Sequence, residues 1–237
     1  MVESFKITAQ KLKRILKVSI SLPLGYDQNN DNYPAVLTFD GQYLFNFLDE
    51  KTKQMDLSVS ASHNRCIVIG IHSPKIEAWR MSELNPYYNG TDESVEPVLS
   101  IIYYDYIIYD LLPYLKRKYR ISDDLYVLGF NEGAIAAAYM QYHYSIIKGM
   151  GLFNPPLDLV TDKFYLDIEN KFDENKKIYL FKGDKVEGEI SDFYNFYIRL
   201  MALKPIYSKI DYVSDYKNDF KGFEAYLGSF LEFIEEK

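Results

Sequence analysis

Cysteine is almost missing from this chain: Cys66 is the one copy in 237 residues. An internal disulfide is therefore excluded, and the place of Cys66 at the head of the apolar run CIVIGI predicts a buried structural thiol. Histidine is nearly as scarce, with His63, His72 and His143 the three copies. Three scattered imidazoles and one thiol offer no metal-ligand spacing, and neither G-x-G-x-x-G nor a phosphate-cradling G-x-x-x-x-G-K-[ST] run occurs. No metal and no cofactor is expected. No apolar stretch approaches the ~18 residues that a membrane span needs. The start MVESFKITAQ is polar and carries Glu3, which does not fit a signal peptide. Cations are outnumbered, with 27 Lys and Arg against 34 Asp and Glu and a net charge of -7. That balance argues against nucleic acid, because phosphate binding needs a basic surface. The expectation is a cytoplasmic protein with neither nucleic acid nor a membrane as partner.

Apolar residues make up 48% of the chain, enough for a substantial core. The length suits one domain spanning residues 1–237. Tyrosine stands out at 23 copies. Two readings fit it: a compositional bias shared with Lys, Asn and Ile, or an aromatic-lined cleft for sugars or aromatic ligands.

Val18, Ile20 and Leu22 alternate with polar neighbours, the period of a half-buried strand. Short apolar runs at residues 35–39, 67–71, 125–130, 149–153, 177–181 and 206–213 read as further strands. Residues 98–119 carry apolar side chains three and four apart (Ile101, Ile108, Leu111, Leu112, Leu115) and predict an amphipathic helix, bent or stopped near Pro113. Helices are also predicted over 134–144, 193–203 and 223–234. Residues 79–96 lack periodicity and read as a long loop. The charged stretch 162–177 fits a surface helix better than a small lid. Alternating strands and helices, with strands that are continuous apolar runs, predict an α/β fold: a mainly parallel sheet with helices on both faces.

The segment with most chemical content is Gly129-Phe130-Asn131-Glu132-Gly133. It joins a predicted buried strand to a predicted helix. Strand, G-x-S-x-G turn and helix form the nucleophile elbow of α/β-hydrolases, but the middle residue here is Asn131. An amide has no ionisable proton to give up and is a very poor nucleophile. Asn does tolerate the positive φ that such a turn demands.

Other segments carry a wider likeness. Leu22-Pro23-Leu24-Gly25-Tyr26, Tyr33-Pro34 and Asp40-Gly41-Gln42 with Phe45 come first. Ile69-Gly70-Ile71 with Arg80, Glu83, Leu84 and Pro86 follow, then Leu112-Pro113-Tyr114 with Tyr119 and Ile121. In this order and spacing, over residues 15–155, the chain resembles the esterase family of α/β-hydrolases that contains esterase D-like and enterochelin-esterase-like proteins. The resemblance implies an α/β-hydrolase fold and a Ser-His-acid site acting on ester bonds.

The parts of that site can be sought in turn. The nucleophile position holds Asn131. The acid position, after the 177–181 strand, offers Asp184 or Glu187. The base would lie near Asp219, where there is no His. The oxyanion-hole positions implied are the backbone of Glu132 and of Gly41 and Gln42, with Arg80 and His72 as further binding candidates. The Glu132 carboxylate either stands beside those donors, where it would repel a developing oxyanion, or turns away to pair with Arg80 or a lysine. Loss of Ser and His together points to an esterase-like protein that has relinquished hydrolysis and binds a small molecule or a protein. The alternative is an active ester hydrolase in which Glu132, Asp184 or His72 activates water. A homo-oligomer using tyrosine-rich surface is a third reading.

Overall fold

A computed structural model describes residues 2–44, 65–87, 99–183, 190–214, 216 and 220–236. Eight strands form one sheet in the order β1-β2-β4-β3-β5-β6-β7-β8. They are β1 Val2–Ala9, β2 Arg14–Ser21, β3 Tyr33–Phe39, β4 Ile67–Ile71, β5 Ile121–Phe130, β6 Ile147–Phe153, β7 Lys177–Gly183 and β8 Ser208–Val213. From β4 to β8 every pairing is parallel. The β1–β2 hairpin joins antiparallel through the pairing of Val18 with Ile71. A mainly parallel sheet is thus as the strand pattern predicts.

Helices cover both faces. Ala35, Leu37, Ile69, Val127 and Leu180 point into one core with Ile107, Leu115 and Phe196, while Val36, Val68, Leu128, Tyr179 and Phe181 point into a second with Phe223, Leu227 and Phe230. Burial on both sides explains why these strands are continuous apolar runs rather than alternating ones. The helices are α1 Glu77–Leu84, α2 Leu99–Tyr106, α3 Leu112–Lys118, α4 Glu132–His143, α5 Asp162–Lys171, α6 Ile190–Ala202 and α7 Phe220–Glu235. A π turn, Ile107–Leu111, joins α2 to α3 without a break. Pro113 stands in the first turn of α3, so the bend expected near it is a widened turn just upstream. That turn relieves the clash a proline makes with the carbonyl four residues back.

Two readings need correction. Residues 79–84 are helical, as part of α1, and not loop; α1 buries only Met81, Ser82, Glu83 and Leu84 at its end, too short a stripe to show as periodicity. Residues 88–98 lie outside the described residues. The second is the start of the chain, where a segment that is polar in sequence forms strand β1. It is an edge strand whose residues are mostly half-buried or exposed, which leaves a weak apolar signal. The 162–177 stretch is helical over α5, which seats Phe164 and Ile168 in the core. Cys66 is fully buried, and burial pushes its thiol up to about 12. Tyrosines are core residues in number: Tyr103 and Tyr104 are fully buried, and Tyr104 donates to the Leu84 carbonyl at 3.0 Å. Tyr87 and Tyr144 donate to Asp167 and Asp105. No helix among the described residues is long and apolar enough to cross a membrane.

Candidate functional site

Strand β5 ends at Phe130, and the chain turns at Asn131 with φ 50° and ψ -124° into α4. The turn is tight. A Cβ on Gly129 would lie 1.8 Å from the Gly133 carbonyl oxygen, so only glycine fits at 129. The Asn131 N–H donates to the Phe153 carbonyl at 3.0 Å, and its own carbonyl accepts from the Ala134 N–H at 2.8 Å. These backbone bonds hold the strained φ. The Asn131 Oδ1 is buried and accepts no hydrogen bond from any of the described residues. Glu132 and Gly133, as the first residues of α4, carry N–H groups that the helix itself cannot satisfy.

The neighbouring loop follows β3. Asp40 has φ 56°, and Gly41 lies against β4 so closely that a Cβ would meet the Gly70 carbonyl carbon at 2.5 Å. Gln42 is clipped in place: its Oε1 accepts from the Ser73 N–H at 3.0 Å, and its Nε2 donates to Asp40 at 3.3 Å.

Arg80 ties these parts together. From α1 it donates to both oxygens of Asp40, through Nε at 2.9 Å and Nη2 at 2.6 Å. Its Nη1 lies 2.8 Å from the Glu132 carboxylate and 3.1 Å from that of Glu77. Arg80, Asp40 and Glu132 are all largely buried, at 13%, 11% and 18% side-chain exposure. Burial alone would lower the arginine pKa, but Asp40 and Glu132 outweigh it and hold the guanidinium well above its ordinary value. Of the two orientations open to Glu132 in the sequence, the structure has the one that pairs with Arg80. Three carboxylates share one guanidinium, so Arg80 is engaged and the cluster is net negative.

His72 follows β4 but does not join this group. Its Nε2 lies 2.8 Å from the Ser19 hydroxyl on β2, which in turn lies 2.8 Å from the Ser4 hydroxyl on β1. Burial and then Lys17 push the His72 pKa down to about 4, against an opposing pull from Asp40. His143 ends α4 and stacks on Tyr139 with centroids 3.7 Å apart. His63, Asp184, Glu187 and Asp219 lie outside the described residues. The structure therefore brings Asn131, Glu132, Arg80, Gly41 and Gln42 to one end of the sheet and turns the His72 ring toward the hairpin.

Two features escaped the sequence reading. The Ser19–His72 contact joins residues 53 apart with no local signal. Asn154, at the end of β6, copies the backbone of Asn131 with φ 47° and an N–H bond to the Phe181 carbonyl at 2.9 Å. The repeated Phe-Asn pair at 130–131 and 153–154 was the available clue. No group of three or more His, Cys, Asp or Glu among the described residues is arranged to hold a metal ion.

The family described as Putative esterase matches residues 9–183, well over half of the chain. The chain belongs to this family. Among solved structures, an IroE-like serine hydrolase from Shewanella oneidensis is 16% identical, with TM-score 0.79, over 99% of this chain and 79% of its own. The BES protein from Bacillus cereus is 14% identical, TM-score 0.78, over 100% and 95%. The siderophore hydrolase EstB from Aspergillus nidulans is 16% identical, TM-score 0.73, over 98% and 94%. At such identities the likeness establishes the α/β-hydrolase fold. No curated protein matches the sequence.

Proposed function

We propose that this member of the esterase family binds a small molecule above the β5–α4 turn and no longer hydrolyses esters by a serine mechanism. The observation that carries the reading is Asn131: the residue at the strained turn, where the family resemblance places the serine nucleophile, is an amide whose buried Oδ1 has no donor among the described residues. A ligand N–H or O–H would satisfy it, and burying such an acceptor unmet is unfavourable by about 1–3 kcal/mol. The two histidines among the described residues support the reading. His72 is engaged with Ser19 and His143 stacks on Tyr139. Water activation by Glu132 gains little support, because its carboxylate is held by Arg80. The net negative charge around Asn131 favours neutral or cationic ligands over carboxylates.

The test is hydrolysis of short p-nitrophenyl esters by the full chain and by Asn131→Ala. The expected result is no saturable turnover in either, with Asn131→Ser equally inactive for want of a base. Saturable turnover lost in Asn131→Ala would overturn the reading. One observation favours a second reading, a hydrolase built on the Ser19–His72 pair. Turnover lost in Ser19→Ala but kept in Asn131→Ala would establish it. Ser19 is 3% exposed, which leaves a substrate little access, and a base with a pKa near 4 is weak at neutral pH.

A further inference from the structure

Among the described residues, strand β8 is the outermost strand at one edge of the sheet and pairs with β7 alone. Its ladder is fixed by the bond from the Ile178 N–H to the Tyr207 carbonyl at 3.0 Å. In a parallel pair the peptide groups of alternate residues face the same neighbour. Those of residues 207, 209 and 211 therefore face β7, and those of Ser208, Ile210 and Tyr212 face outward. An exposed edge of this kind is a template for another strand unless something blunts it. Charge, proline or a bulge would do so. β8 has no proline, and its two charges are of opposite sign, Lys209 and Asp211, placed symmetrically about Ile210.

That symmetry has a geometric meaning. Place a second β8 antiparallel to the first, with the two-fold axis at Ile210. Ile210 faces Ile210 of the other copy, and Ser208 faces Tyr212, all through outward peptide groups. Lys209 of each copy then stands opposite Asp211 of the other. This is the non-hydrogen-bonded position, where Cα atoms approach to ~4.5 Å and side chains are closest. Both charge pairs are attractive. Any other register loses that match or turns the wrong peptide groups outward. Lys209 has no ion-pair partner among the described residues, and Asp211 accepts from Tyr179 through one oxygen only. Beside the edge, α6 presents Tyr194 and Ile198 one turn apart, at 45% and 62% exposure, and the Tyr194 ring lies 6.0 Å from that of Tyr212. These apolar side chains flank the axis and would be covered by their own copies.

We infer that β8 is the docking edge for a second copy of this chain, giving a two-fold dimer with a continuous sixteen-stranded sheet, counted as twice the eight of one chain. The contact is isologous, since each copy offers the same strand and helix face. It lies along β8 and α6 and does not depend on whether the Asn131 turn binds a ligand.

Sedimentation of the full chain over a range of concentrations tests this with two charge reversals. Lys209→Glu sets a new carboxylate against Asp211 of the other copy, and Asp211→Lys sets a new ammonium group against Lys209. Each alone is expected to weaken the dimer on the order of tenfold. An equimolar mixture of the two variants restores attraction at both pairs and is expected to return the association to the wild-type level. Circular dichroism checks that each variant folds, since Asp211→Lys also removes the acceptor of Tyr179. If that variant does not fold, Ile198→Asp takes its place; Ile198 is exposed, and a carboxylate there is expected to weaken association similarly. A wild-type chain that stays monomeric at the highest concentration would overturn the inference. So would a dimer unchanged in Lys209→Glu and in its companion variant.

Discussion

Two corners of the sheet use the same dipeptide to opposite ends. Phe130-Asn131 closes β5 and Phe153-Asn154 closes β6. Both asparagines have φ near 50°, and both donate their N–H to a phenylalanine carbonyl on the next strand. The backbone solution is shared, while the side chains part company. Asn154 is 1% exposed, and its Oδ1 accepts from the Gly183 N–H at 2.9 Å, clipping β6 to β7. Asn131 leaves its Oδ1 with no donor among the described residues. The pair separates what the fold needs from what is left over. Positive φ and a backbone tie are structural at both corners, but the amide oxygen is structural only at Asn154. At Asn131 it joins no strands, and the ligand we propose would be its donor.

The strongest way to break the comparison is Gly129→Ala. The new methyl would collide with the Gly133 carbonyl at 1.8 Å, so the β5–α4 turn must open. The expected loss is about 3 kcal/mol or more, read as a fall in the denaturant midpoint. A mild loss would mean the turn relaxes easily and its geometry carries little information.

A smaller effect divides the corners directly. Asn154→Gly keeps the φ freely but orphans a buried N–H, so it should destabilise by about 1–3 kcal/mol. Asn131→Gly removes an unmet acceptor and relieves the strained φ, so its melting temperature should match or exceed that of the wild type. Equal losses at both sites would abolish the distinction.

The smallest effects come from pH and extend the same question to two other buried polar groups. Desolvation pushes Glu83 up to about 7 despite Arg14 at 2.6 Å. The folded chain then holds a proton that the unfolded chain has released. The stabilisation from Glu83 is full below its ordinary pKa of 4.5 and fades as pH rises through about 7. His72 runs the other way. With its folded pKa near 4, its contribution is full above the ordinary 6.5 and is lost as pH falls toward 4. Between about pH 4.5 and 7, stability should therefore fall less steeply with rising pH in Glu83→Gln, and between about pH 6.5 and 4 it should fall less steeply with falling pH in His72→Asn. Unchanged slopes would place the titration elsewhere.

Much of this was readable in the chain because it rests on local rules. The parallel strands are apolar runs buried on both faces, and the turn at Asn131 is a five-residue pattern whose glycine at 129 is sterically forced. The rest depends on contacts between distant residues. Arg80 reaches Asp40 and Glu132 from a helix whose buried stripe covers only its last turn, and pairing with Arg80 was one of two orientations the sequence left open for Glu132. The Ser19–His72 contact exists only because β2 and β4 become neighbours. β1 hides because an edge strand needs few apolar residues.

The π turn before Pro113 has a consequence for the whole face it lies on. Residues three, four and seven apart return to one side of an α-helix, and Tyr104, Ile108, Leu111 and Leu115 keep that spacing and share one core across the wide turn. The turn thus widens the helix without interrupting its buried face, and α3 still leads into β5, the strand that ends at Asn131.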